Sequence, residues 1–223
     1  MADSTPDVGG LLARIKDKDT DALAALFSLH RERLGRGIRF RLDPRLQRRV
    51  GVDDVLQEVY LNAAQRIAAF DGKSEQSFFI WLRLVAGQTM IDIHRRHIGA
   101  QARDAGREVP VGGGFGPQAT SASFVAQLVG DYTSPSQAAI REEMATQIEQ
   151  AVGSLEPIDR EILALRHFEE LTNSEVAEVL GIQQKAASIR YVRALGRLKQ
   201  VLVALSDFRS RDGGALEKKN GND

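Results

Sequence analysis

The chain has 223 residues, with 30 Lys and Arg balanced by 30 Asp and Glu and no cysteine, which excludes disulfides, thiolate metal sites and thiol redox switching and suits a reducing compartment. No apolar run approaches the ~20 residues needed to cross a bilayer, and the polar start with Asp3 and Asp7 is not a secretory signal, so a cytoplasmic protein without membrane contact is expected. The neutral sum is built from separate blocks. Arg31, Arg33, Arg36, Arg39, Arg41, Arg45, Arg48 and Arg49 crowd together with only Glu32 and Asp43 among them, 142–178 is rich in Glu, and Lys185, Arg190, Arg193, Arg197 and Lys199 follow with no acid between. Charges are screened beyond ~8 to 10 Å at physiological salt, so such blocks leave local phosphate binding open.

Residues 1–18 read as an amino-terminal tail. A helix is predicted to begin near Asp19-Thr20-Asp21, where short polar side chains cap the free N–H groups, and to carry Leu23, Leu26, Phe27 and Leu34 inward. Val52, Val55, Leu56, Val59, Tyr60, Ala63, Ile67 and Phe70 form the stripe of an amphipathic helix, which Asp71-Gly72 ends. A further helix over about 77–96 turns Phe78, Trp81, Leu82, Val85, Met90 and Ile93 to the core. From about 98 to 133 the texture changes, with Gly99, Gly106, Gly112, Gly113, Gly114 and Gly116 beside Pro110 and Pro117. That composition predicts a flexible linker, disordered in the free chain, with one short helical piece around 123–129. Helical spacing resumes after Ser134-Pro135-Ser136, and the charged, Gly-rich end after Ser206 reads as a frayed tail. No segment alternates as a strand would. The expected fold is all-α: two small helical domains, 19–99 and 135–206, joined by a flexible linker 100–134, with a carboxy-terminal tail 207–223.

The segment 171–202 carries the most specific pattern. Thr172 or Asn173 can cap a helix bearing Val176, Ala177, Val179 and Leu180; Gly181-Ile182 makes a tight turn; a second helix starts near Gln184. Small Ala177 and Ala187 let the two helices cross closely. This is helix-turn-helix grammar, in which the second helix enters the major groove. Ala187, Tyr191, Ala194, Leu195 and Leu198 share its inward side, while Gln184, Lys185, Ser188, Ile189, Val192 and Arg193 share the side nearest the groove, flanked by Arg190, Arg197 and Lys199 within reach of phosphates. Arg recognises a guanine edge and Gln an adenine edge through paired hydrogen bonds. The plainer alternative is a basic helical hairpin with a solvated face; the glycine turn, the small crossing residues and the lack of acids together favour DNA.

A second motif lies upstream. Val52-Asp53-Asp54-Val55-Leu56-Gln57-Glu58-Val59-Tyr60-Leu61 resembles the acidic helix of the sigma-factor superfamily, in particular its small extracytoplasmic-function group. Ser77-Phe78-Phe79-Ile80-Trp81-Leu82, Met90-Ile91-Asp92-Ile93-His94-Arg95-Arg96, 155–165 and Arg193-Ala194 resemble further motifs of that group in the same order. The resemblance implies a sigma2-like domain, a sigma4-like helix-turn-helix domain, and two partners: core RNA polymerase, through the coiled coil of its largest subunit and its flap, and promoter DNA. It places polymerase binding on Asp53, Asp54, Gln57, Glu58, Leu61 and Asn62, whose bland alternative is a solvated face with acids favouring the helix dipole. It places capture of the melted minus-ten element on Lys73, Ser74, Arg83, Gln88, Asp92, Arg95 and Arg96, and reading of the minus-thirty-five element on Gln184, Lys185, Ser188, Ile189, Arg190, Val192, Arg193 and Arg197. Melting without a motor requires an unstacked base to be held as single strand. Trp81 is a tempting platform, but its register with Phe78 and Val85 favours a core role. Gln88 stands where the group usually has Asn, and Gln184, Lys185, Ser188 and Ile189 replace its usual recognition pattern, so neither promoter preference carries over. An anti-sigma factor is a further partner the resemblance allows.

Enzymatic chemistry finds no support in the pattern. His94 and His97 are spaced to share a metal, yet further ligands at helical spacing are missing. No phosphate loop, nucleophile elbow or paired catalytic carboxylates appear; no catalytic residue, metal or cofactor is expected. The rival reading is a stand-alone helix-turn-helix regulator that binds duplex DNA as a dimer, which leaves the acidic helix without a task.

Overall fold

Every regular element is helical among the described residues of the computed structural model, which are 7–47, 49–97, 117–128 and 135–217. The first helix lies where a tail was expected. Helix α1 (Val8–Lys16) is capped by Asp7, whose side chain accepts from the Gly10 N–H, and it buries Leu12 and Ile15. Nine residues are too few to hold a helix alone; packing on the neighbouring helices supplies what its short apolar pattern did not advertise. Lys18 turns the chain with φ 60°, and Asp19 then caps α2 (Thr20–Arg41) by accepting from the Asp21 and Ala22 N–H groups.

A short helix α3 (Pro44–Gln47) leads to α4 (Val52–Arg66), which runs into a single 3-10 turn (Ile67–Ala69) before the expected break. Helix α5 (Glu75–His97) starts behind Ser74, whose Oγ accepts from the Ser77 N–H at 3.1 Å. The predicted apolar stripes meet here in one core: Leu23, Leu26, Leu34 and Ile38 of α2 against Val55, Val59 and Ala63 of α4 and Phe78, Leu82, Val85 and Ile93 of α5. Trp81 is half-buried against it, 5.4 Å from the Phe70 ring and 5.8 Å from that of Phe78.

The remaining helices are α6 (Ser121–Leu128), α7 (Pro135–Gly153), α8 (Pro157–His167), α9 (Asn173–Leu180) and α10 (Gln184–Glu217). Where a frayed tail was expected from 207, α10 continues to Glu217. Gly213 and Gly214, each costing about 1 kcal/mol relative to Ala inside a helix, lie within it without ending it.

Two cores serve this half. One joins Ile162, Leu165, Leu171, Val176, Val179 and Ala187 to Phe79 and Ile80 of α5; the other joins Val152, Leu155, Leu163, Ala164 and Ala194 to Phe40 of α2 and Phe124 of α6. The two helical groups therefore pack on each other through apolar side chains. Over 117–128 the expected linker holds its short helical piece, as α6, but packed down and not free. Helix α6 is docked there, with Phe124 buried and edge-on to Phe40 at 5.2 Å, because one aromatic side chain in an otherwise small, polar segment finds a cluster of its own kind. The rest of the expected linker lies outside the described residues.

Candidate nucleic-acid and protein interfaces

Local chemistry builds the helix-turn-helix as the pattern anticipates. Thr172 caps α9: its Oγ1 accepts from the Glu175 N–H at 3.3 Å, while Glu175 Oε2 accepts from the Thr172 N–H at 2.7 Å. Gly181 ends α9 in the left-handed region at φ 63°, a conformation that suits a residue without Cβ. The Ile182 N–H then donates to the Ala177 carbonyl at 2.9 Å, closing the turn. Ala187 and Ala194 are buried, with Tyr191, Leu195 and Leu198 packed beside them.

The opposite side of α10 presents Gln184, Lys185, Ile189, Val192 and Arg193 to solvent. Ser188 is half-buried and its Oγ accepts from Asn173 Nδ2 at 2.9 Å, so it steadies α9 against α10 instead of standing free. Arg190 and Arg197 converge on one acid, Asp159, at 3.8 and 2.9 Å. That residue sits in the first turn of α8, is 3% exposed and was not singled out from the sequence; a lone Asp in a helix start gives no signal of its eventual burial.

On α4, Gln57 is exposed and Leu61 is 59% exposed. Their acidic neighbours have partners. Asp53 pairs with Arg31 at 2.8 Å, Asp54 Oδ2 accepts from the Gly51 N–H at 2.9 Å, Glu58 accepts from Arg96 Nη2 at 2.8 Å, and Asn62 donates to Thr89 Oγ1 at 2.9 Å. The Glu58–Arg96 pair joins the face expected to meet polymerase to the helix expected to meet DNA.

Lys73 and Ser74 lie exposed in the turn before α5, and Arg95 is exposed near its end. Gln88 donates to Asp92 Oδ1 at 3.2 Å and, with Arg66, Trp81 and Leu84, lines a groove of about 540 Å³. Arg83 does not join them. At 100° per residue it points ~140° away from Gln88, on the side of Phe79 and Gly87, and its guanidinium is buried against Glu169. Its expected contact with DNA is therefore corrected: in this structure it faces α8, not the groove.

Arg83 is one member of a buried cluster that sequence spacing could not reveal, since its members come from α2, α5, α8 and the turn after α8. Glu169 accepts from Arg41 Nε and from Arg83 Nε, both at 2.6 Å, and Glu161 accepts from Arg41 Nη2 at 2.6 Å. Burial alone would push the Glu169 carboxyl up, but the two guanidinium groups outweigh it and hold it down at about 2. Burial likewise disfavours the Arg41 charge, and Glu169 with Glu161 more than restores it.

His94 lies 3.8 Å from Asp43. Among the described residues no group of three or more His, Asp or Glu is placed to hold a metal ion, and no helix is long and apolar enough to cross a membrane.

Comparison with known proteins supports the same assignment. Residues 151–200 match the family described as sigma-70, region 4, a stretch that spans α8, α9 and the first half of α10. The chain is 24% identical over 192 residues to the ECF RNA polymerase sigma factor SigW of Bacillus subtilis, covering 86% of this chain and 94% of that protein. It is 28% identical over 159 residues to the ECF RNA polymerase sigma factor SigD of Mycobacterium bovis, covering 71% and 66%. Among solved structures, CnrH in complex with the cytosolic domain of CnrY shares the fold, with a TM-score of 0.51 at 21% identity over 89% of this chain and 99% of that one. The region 4 match thus covers the capped helix-turn-helix, and the acidic α4 and the aromatic start of α5 precede it in a chain similar over most of its length to an ECF RNA polymerase sigma factor.

Proposed function

We propose that the chain directs core RNA polymerase to particular promoters in transcription initiation. It works by binding alone: α4 meets core polymerase, the outer face of α10 reads the upstream element as duplex, and the turn before α5 with the Trp81–Gln88 groove holds the melted downstream element. The observation that carries this reading is the open row Gln184, Lys185, Ile189, Val192 and Arg193, held rigid by the Gly181 turn inside the region 4 match. Apolar Ile189 and Val192 beside Arg193 suit a groove that offers thymine methyl groups as well as guanine edges. CnrH was solved with the cytosolic domain of CnrY, and a protein partner that keeps this chain from polymerase belongs to the same proposal.

Leu61 offers the sharpest test of the α4 face, because it is apolar, exposed and free of a structural hydrogen bond. Leu61→Arg is expected to weaken co-purification with core polymerase by tenfold or more, of the order of 1.4 kcal/mol, with an unchanged melting temperature. Glu58→Arg should do the same while also setting a cation against Arg96. A chain that ignores core polymerase and instead binds a palindrome as a dimer would replace this reading with that of a stand-alone regulator.

A further inference from the structure

Two arginines of α10 turn toward the same carboxylate on α8. Arg197 Nη1 donates to Asp159 Oδ2 at 2.9 Å, and Arg190 Nη1 stands 3.8 Å from Asp159 Oδ1. Seven residues separate the two arginines, so they lie about two turns apart and within ~20° of each other around the helix. Glu156 adds a weaker attraction, its Oε1 3.9 Å from Arg197 Nη1. The Asp159 side chain is 5% exposed, while those of Arg190 and Arg197 are 41% and 51% exposed. Asp159 sits in the first turn of α8, behind Pro157, where the positive end of the helix dipole favours an anion.

The outer row is placed differently. Arg193 stands ~60° around the helix from Arg190 and is exposed, as are Lys185 and Lys199. The cations of this one helix therefore divide into a braced pair and an open set.

We propose that Asp159 is a positioning residue for DNA reading: it holds Arg190 and Arg197 as braces between α8 and α10, withholds them from the phosphates, and leaves binding to depend on the outer row. The inference rests on the reading that the outer face of α10 meets duplex DNA. One buried carboxylate competes here with many exposed phosphates. A phosphate contact forms in water and weakens steeply with salt, whereas moving both arginines to phosphates would strand a buried charge, which is strongly unfavourable. Arg197, hydrogen-bonded to Asp159, is held more firmly than Arg190, which is drawn by charge alone.

The division bears on sequence selectivity. Phosphate contacts carry no sequence information. On random duplex no base contact fixes the register, so freed arginines could take whichever phosphates lie nearest. On a preferred sequence the base contacts fix the register and leave less choice. Freeing Arg190 and Arg197 therefore favours random duplex over the preferred one.

The test is titration of labelled duplex with the full-length chain, using random duplex beside the sequence most enriched from a random library. Asp159→Asn keeps the shape of the side chain and removes its charge. Between 50 and 200 mM salt its affinity for random duplex should fall ~3- to 12-fold further than that of the unmodified chain, as one or two added phosphate contacts require. Preference for the enriched sequence at 50 mM salt should drop about threefold or more. Adding Arg190→Gln and Arg197→Gln to Asp159→Asn should return the salt response to its original value, a reversal that a merely structural role for Asp159 would not produce. An Asp159→Asn chain with unchanged circular dichroism and an unchanged salt response overturns the proposal. So does a triple variant that keeps the steeper response.

Heteronuclear NMR of the unmodified chain supplies a check that does not depend on how well the variants fold. The Arg197 side-chain signals should stay in place as random duplex is added, while those of Arg193 shift; equal shifts in both overturn the brace. A chain that binds duplex with no preference for any sequence strikes the reading of the outer row and leaves the salt response to judge Asp159. A chain that binds no duplex strikes both.

Discussion

The Asp159 carboxylate sits buried in the first turn of α8, where the helix dipole favours an anion, and draws Arg197 to 2.9 Å and Arg190 to 3.8 Å. These are the arginines that spacing alone assigned to phosphates, while Arg193 on the outer face stays free of them. Arg193→Ala is accordingly expected to weaken specific promoter binding by ~1 to 3 kcal/mol at fixed salt, measured by titration of labelled duplex. Asp159→Asn should act in the other direction on random duplex. It releases cations toward the backbone and steepens the dependence of log affinity on log salt by about one to two; an unchanged slope would mean that Arg190 and Arg197 already reach phosphates. His30 carries a different consequence. It is buried between the Phe78 and Phe79 rings, and burial keeps its imidazole below the usual 6.5; Arg33 adds to that effect while Glu75 and Glu175 oppose it. The unfolded chain therefore takes up the proton first, so stability is retained above 6.5 and falls as the pH drops below it. Melting temperature should decline between pH 7 and 5.5, and His30→Leu should flatten that decline. Glu169 acts lower on the scale. Its depressed carboxyl stabilises the fold fully above the unfolded value of 4.5 and loses that effect as pH falls toward about 2.

At the level of single helices, patterns that repeat along the chain were legible and solitary features were not. The stripes of α4 and α5 and the Thr172–Gly181 frame of α9 follow from 3.6-residue spacing, a capping hydroxyl and a glycine. Helix α1 escaped because its nine residues carry little periodicity, whereas α6 was legible as a short helical piece around 123–129 and only its docking through Phe124 was not. Arg83 was misassigned because charge identifies a residue that wants an anion without saying which one; its motif neighbours suggested phosphate, and the fold supplies Glu169. The buried cluster as a whole was illegible, since Arg41 and Glu169 meet only in three dimensions. What was legible can be tested by breaking it. Gly181→Ala meets no atom within 4 Å, so its cost is the left-handed backbone alone, about 1 kcal/mol. Thr172→Ala removes the cap and should cost about 1 kcal/mol as well. In a chain of this size each should lower the melting temperature by ~2 to 4 °C, and a larger fall for Gly181→Ala would show that the turn itself packs against something.

Across the whole molecule, the docking of α6 changes how far the two surfaces proposed to read DNA can separate. Were everything from 100 to 134 free, the tether would reach beyond ~110 Å. With α6 packed on the following helices through Phe124 and Phe168 at 5.3 Å, the chain between α5 and Pro117 is residues 98–116, whose fully extended reach is only ~65 Å. That is little more than the ~58 Å set by a spacer of roughly 17 base pairs, so promoter spacing should be read out through this short length. Removing 107–114 cuts the reach to ~40 Å. The shortened chain should still bind core polymerase and still place α10 on duplex DNA. On a template library that varies the spacer, however, it should start transcripts preferentially where the two elements lie closer together. An undiminished preference for the original spacing would mean that α6 leaves its site on the enzyme and lends its own residues to the tether. Salt separates the two kinds of charge contact in the same preparation. Raising it from 50 to 200 mM weakens phosphate contacts steeply, but it scarcely screens ions buried as deeply as Arg41 and Glu169. The contact of Arg41 and Arg83 with Glu169 should therefore persist, read as an unchanged hydrodynamic radius, at salt concentrations that abolish the chain's hold on DNA.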